Sequence, residues 1–167
     1  MKKITSSVSA EDQTFIRNFV FGAEDSLVST VGLLSGVAIA GVARPTLVLT
    51  GVVLIFVEAF SMGIGSYLSE AITHDENHGE RRISMDAAFI MLGSYIVAGL
   101  IPLLPYFFWE GITGLSISIS CSLLALALLG IISSRLSRTN VRRNTVRMIL
   151  LGGSAIAVGI IVSFFVK

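Results

Sequence analysis

The chain has 167 residues, 53% of them hydrophobic and only 14% charged, with a mean hydropathy of +0.84. Soluble domains carry about 25% charged residues, so the composition excludes both an ordinary soluble domain and a disordered chain. A net charge of +1 gives no electrostatic footprint for nucleic acid, and the single Cys121 allows neither an intrachain disulfide nor a cysteine-cluster metal site.

The reading that remains is an all-α membrane protein with one transmembrane domain. Crossing a bilayer takes roughly 17–25 apolar residues. Five stretches qualify, at about 19–42, 46–68, 87–108, 112–132 and 148–166. Short polar segments, 1–18, 69–86 and 133–147, precede and join them. The amino-terminal segment does not read as a cleavable signal peptide, because the first apolar run is too long and holds two acids.

Those acids, Glu24 and Asp25, lie a short way into the first span. A carboxylate at bilayer depth costs a few kcal/mol unless it is paired, protonated or facing water, which makes it a functional candidate by default. Gly22, Asp25, Ser29, Gly32 and Gly36 follow at helical intervals, so one stripe joins an acid to small residues. Gly32 and Gly36 form a G-x-x-x-G pair that admits close approach of another helix. The stripe is predicted to face a second copy of the chain or a path beside it; read without a function, it is a packing seam.

Ala43, Arg44 and Pro45 leave room only for a tight turn into the second span. There Glu58, Ser61, Met62, Gly65, Ser66 and Ser69 share a helical face. A carboxylate beside a thioether suits a cation of intermediate softness such as Fe²⁺, although methionine also serves as core filler. The 69–86 segment holds His74, Asp75, Glu76, His78 and Glu80. If helical, it pairs His74 with His78 and Glu76 with Glu80, a set that could recruit a metal or simply be solvated.

Pro102 and Pro105 predict a kink near the end of the third span, and Trp109-Glu110-Gly111 is a second tight link. Tyr106 and Trp109 suit the lipid–water interface. In the fourth span the alternation of Ser116, Ser118, Ser120 and Ser122 is too short to make a strand. The 133–147 segment carries Arg135, Arg138, Arg142, Arg143 and Arg147, read as anchors on anionic lipid. Together with Lys2, Lys3, Arg17, Arg81 and Arg82 they place ten basic residues on one side of the membrane, against Arg44 and Lys167 on the other. That bias predicts a cytoplasmic amino terminus and an external carboxyl terminus. No convincing internal repeat is found, so any symmetry would come from a second chain.

The stretch from Arg17 to Gly32, RNFVFGAEDSLVSTVG, resembles the first-helix signature of the vacuolar iron transporter family. The stretch from Glu58 to Ser69, EAFSMGIGSYLS, resembles its second-helix signature, with a Ser-Met pair and a Gly-x-Gly-x-Tyr turn. The resemblance covers nearly the whole chain. It implies a homodimer that moves Fe²⁺ or Mn²⁺ out of the cytoplasm in exchange for protons, with no resident cofactor. It also implies a path between subunits lined by Asp25, Glu58 and Met62, with Glu24 and Ser66 as lesser contributors. Asn18 stands where many members carry an acid, and Ser66 where many carry Glu. The 69–86 segment is too short for the Glu- and Met-rich domain of full-length members, so the chain resembles the compact nodulin-like or prokaryotic type. Such a protein would sit in the cell membrane of a prokaryote, or in a vacuolar or other endomembrane of a eukaryote. The alternative is a non-transporting membrane scaffold. An enzyme is not expected, because no Ser/His/Asp, Cys/His or H-E-x-x-H arrangement occurs.

Overall fold

In lipid every backbone N–H and C=O must find a partner within the protein, and long apolar runs achieve this as helices. A computed structural model describes residues 10–73, 78–137 and 139–166. It contains α1 (Ala10–Ile39), α2 (Arg44–Thr73), α3 (His78–Leu103), the single turn α4 (Pro105–Phe108), α5 (Gly111–Leu136) and α6 (Val141–Val166). The helices overrun the apolar stretches. α1 begins inside the polar amino-terminal segment, and the 69–86 and 133–147 segments are in good part helix ends. Hydrogen bonding does not stop where hydrophobicity does, so interfacial polar residues continue the helices that lipid requires.

Four helices are long and apolar enough to cross a membrane: Arg44–Ile72, Arg82–Leu103, Gly111–Leu136 and Val141–Val166. The protein is therefore an integral, multi-pass membrane protein. α1 is just as long but carries acids and many hydroxyls, and its position explains why. It packs on α2, α3, α5 and α6 and forms the centre of the bundle. Ser26, Thr30 and Ser35 on α1 are fully buried, whereas the outward faces of the other helices are apolar, with Phe56, Phe60, Leu124 and Phe165 exposed. A helix surrounded by protein does not need a lipid-compatible surface.

Both tight turns form as the sequence predicts and lie at one end of the bundle. Gly41, at φ +79°, closes the α1–α2 turn, and Arg44 pairs with Glu110 of the α4–α5 link at 3.2 Å. This hairpin end is sealed by a cluster of Leu34, Leu47, Ile55, Leu103 and Tyr106. The predicted kink is a break at Leu104, with Pro105 opening α4. The Ser118 hydroxyl of α5 donates to the Pro102 carbonyl at 2.6 Å, supplying a partner where α3 runs out. The α2–α3 and α5–α6 connections lie at the opposite, arginine-rich end.

The glycines of the α1 stripe pack against helices of the same chain. A Cβ on Gly36 would lie 2.5 Å from the Gly159 carbonyl oxygen, and one on Gly32 would lie 3.0 Å from that of Ala155. Both positions are thus pressed onto the α6 backbone. Gly22 meets a different helix, with the Met91 carbonyl 2.8 Å from its would-be Cβ on α3. At its glycines the stripe, expected to face a second copy or a path beside it, is instead a packing seam within the chain, because α1 is central rather than peripheral.

Candidate functional site

The site is built on the contact between α1 and α3. Ser26 donates to the Tyr95 carbonyl at 2.6 Å, and Gly99, one turn on, gives Ser26 room to do so. These contacts fix the backbone of Tyr95, whose side chain is fully buried in the middle of α3. Its phenol crosses to α2 and donates to the Glu58 carboxylate. A phenol has one proton to give, so the Ser29 hydroxyl, 2.7 Å from the Tyr95 oxygen, donates to it. Ser29 of α1, Tyr95 of α3 and Glu58 of α2 form one chain of hydrogen bonds.

Asp25 sits one turn below Ser29, on the α1 face that the Tyr95 phenol joins to Glu58. Both carboxylates are half-buried. Neither forms an ion pair with a described residue; pairs such as Arg17 with Glu70, Arg44 with Glu110 and Arg82 with Asp86 lie elsewhere. Asp25 and Glu58 thus stand on facing sides of the groove between α1 and α2 with no basic partner among the described residues. α1 and α2 run antiparallel, and the Ser66–Asn18 bond below and the Tyr95 bridge above set their register. That register brings Asp25 level with the turn of α2 that holds Met62, itself half-buried.

The remaining candidates are distributed differently. Glu24, adjacent to Asp25 but rotated about 100° around the helix, feels the positive charge of Arg147 on α6. Ser66 is buried and donates to Asn18 at 2.7 Å. The two positions at which the chain departs from the family signature are therefore bonded to each other as a neutral pair. Arg17 pairs with the buried Glu70 beside them, so the arginine-rich end of the α1–α2 groove is tied across twice. Residues 74–77, with His74, Asp75 and Glu76, lie outside the described residues, as do the side chains of His78 and Glu80. No group of three or more His, Cys, Asp or Glu able to hold a metal occurs among the described residues.

Tyr95 is the residue that sequence reasoning missed. The signal was available: aromatic hydroxyls gather at the membrane interface, so a tyrosine at mid-span needs a buried partner. The interface rule, applied to Tyr106, fails there too, since that side chain is buried in the core cluster at the hairpin end.

A helical bundle with an acid-bearing central helix, and with an unneutralised carboxylate pair in the groove beside it, defines a class of multi-pass membrane proteins that handle cations. The profile of the VIT family matches residues 16–84 and 71–163, which together take in most of the chain, and the chain belongs to that family. The two matches overlap at the α2–α3 connection. A relative from Oryza sativa subsp. japonica, vacuolar iron transporter homolog 5, is 27% identical over 159 residues, covering 86% of this chain and 76% of its own length.

Proposed function

We propose that the chain is a divalent-metal transporter that moves Fe²⁺ or Mn²⁺ out of the cytoplasm by proton antiport, working as a homodimer with five crossings per subunit. The observation that carries this reading is the Asp25–Glu58 groove. Two carboxylates at membrane depth, without a cation to neutralise them, are costly to keep in any protein that does not use them. A cation that enters the groove supplies the missing charge, and protons supply it when the cation leaves. Met62 at the level of Asp25 adds a soft ligand that favours Fe²⁺ over Mg²⁺. The name of the rice relative supports iron as the cargo.

The dimer is supported by the exposure of the same groove. Half-exposed carboxylates cannot face lipid, and one chain brings only two of them together, which is few for a divalent ion. A second copy related by a two-fold axis would cover the groove and double its ligands. α1 supports the fifth crossing, because a helix of 30 residues enclosed by helices that cross must itself cross. The Lys and Arg bias supports the orientation. Cysteines at Ser137 and Lys167, in a Cys121→Ala background, should label from opposite sides of the membrane.

Uptake of Fe²⁺, Mn²⁺, Co²⁺ and Zn²⁺ into proteoliposomes, with an internal pH dye, tests the whole reading. Metal entry coupled to proton movement in the opposite direction is expected. A purified protein that moves none of the four would instead be the membrane scaffold.

A further inference from the structure

We propose that Tyr95 is the positioning residue of the metal path, holding the Glu58 carboxylate so that its free oxygen is presented to an ion beside Asp25. This assignment rests on the transport reading above and adds a residue that belongs to neither of the two helices lining the groove.

The geometry is specific on three counts. Tyr95 is fully buried, so its hydroxyl has no water to turn to. Its backbone is held against α1 by Ser26, which donates to its carbonyl at 2.6 Å. At the far end, the phenol gives its proton to Glu58 and receives one from Ser29 at 2.7 Å. A glutamate on a helix has three rotatable bonds, and an unrestrained one would spend much of its time away from the groove. The Tyr95 hydroxyl occupies one carboxylate oxygen, leaves the other for a ligand and removes that freedom. Second-layer partners of metal-binding carboxylates act in this way.

Alternative roles fit less well. As a direct ligand, Tyr95 would have to give up a proton already committed to Glu58, and its oxygen is already accepting from Ser29. As a core filler, it would need no hydroxyl, and a phenylalanine of the same shape would serve. The bonded hydroxyl at the junction of α1, α2 and α3 therefore assigns its role to Glu58.

Tyr95→Phe keeps the ring and deletes both hydrogen bonds. In proteoliposomes the half-saturating Mn²⁺ concentration should rise about tenfold with little change in maximal rate, the usual scale for losing a second-layer partner. In a Glu58→Gln background, Tyr95→Phe should add nothing, because the carboxylate it positions is gone. Ser29→Ala, which leaves the Tyr95–Glu58 bond in place, should give a smaller rise and serves as the milder variant if Tyr95→Phe does not fold. An unchanged half-saturating concentration in both variants overturns the assignment. So does an equal rise for Tyr95→Phe in the presence and absence of Glu58, since that would mark a purely structural role. Where the parent moves Fe²⁺ but not Mn²⁺, the same comparison is made with Fe²⁺; failure of the parental protein to take up any of the four ions would overturn the transport reading and this assignment together, whereas parental uptake with unaltered variants overturns this assignment alone.

Discussion

The two halves of α1 are held in different ways. From Arg17 to Ser29, besides the close approach of Gly22 to α3, four neighbours are reached by polar side chains: Arg17 to Glu70, Asn18 to Ser66, Ser26 to the Tyr95 carbonyl and Ser29 to the Tyr95 hydroxyl. From Gly32 to Gly36 the contact is backbone against backbone, with no room for a methyl group between α1 and α6. Side-chain hydrogen bonds can open and re-form at a net cost of about 0.5–1.5 kcal/mol each. Two backbones in contact cannot part without losing the packing that joins the helices. The half of α1 that carries Asp25 thus has more contacts that can open singly than the glycine half, which is held on α6 by its backbone.

The largest effect should come from breaking the anchored half. In Gly36→Leu the new Cβ would sit 2.5 Å from the Gly159 carbonyl oxygen, an atom of the backbone that no rotamer change can move. Overpacking of this kind costs roughly 1–3 kcal/mol or more, a large share of the marginal stability of a domain. Recovery of monodisperse protein from detergent extracts should collapse. Near-parental recovery would mean that α6 can swing away from α1, and the contrast between the two halves would fail.

Next in size is Asp25→Asn, in the adaptable half. The amide keeps the size of the side chain and its hydrogen-bonding capacity while removing its charge and its ability to exchange a proton. Extraction and thermal unfolding should match the parent, while proteoliposome uptake should fall to that of empty vesicles. Parental uptake with parental pH dependence would sink the mechanism, even with family membership intact.

Glu58→Gln and Met62→Leu should act more mildly, because each leaves Asp25 in place. Loss of one ligand should raise the half-saturating metal concentration by about tenfold for Glu58→Gln. Met62→Leu removes the soft donor and should lower uptake of Fe²⁺ relative to Mn²⁺, measured with both ions in competition. Equal losses for the two ions would reduce Met62 to packing.

Much of this was legible in the sequence, and the reasons differ by element. The turns were legible because Pro45 and the Trp109-Glu110-Gly111 link act locally. Asp25 and Glu58 were legible as candidates because a charge in an apolar run is conspicuous at any tertiary arrangement. The partner of the glycine stripe was not, because G-x-x-x-G states that something comes close and not which helix it is; Gly159 of α6 lies 123 residues after Gly36, and the contact is tertiary. The helix ends were underestimated for a related reason: hydropathy marks the lipid boundary, whereas the hydrogen-bond ladder of α1 continues to Ala10. Tyr95 was hidden by its own ordinariness, a single aromatic in an apolar helix whose meaning depends on Ser29 and Glu58 arriving from two other helices.

The smallest predicted effect concerns the tie at the arginine-rich end. Asn18 and Ser66 are both buried, their bond is 2.7 Å long and neither carries charge. The Asn18 amide also donates to the Thr14 carbonyl at 2.9 Å, so the residue is satisfied on both sides without an ion. Ser66→Ala leaves the Asn18 oxygen without this donor, and Asn18→Ala leaves the Ser66 hydroxyl without its acceptor. Each should lower stability by about 1–3 kcal/mol, the cost of an unsatisfied buried polar group. The double variant should be less damaging than the sum of the singles by about 1 kcal/mol, since it leaves neither orphan. Thermal or denaturant unfolding of the four proteins measures this. Metal uptake by the folded fraction should be unchanged in all of them, because the Asn18 oxygen and the Ser66 hydroxyl are engaged with each other and neither brings charge to a cation. If Ser66→Ala instead lowers uptake as severely as Asp25→Asn, the tie is part of the path, and the adaptable half of α1 extends down to Asn18.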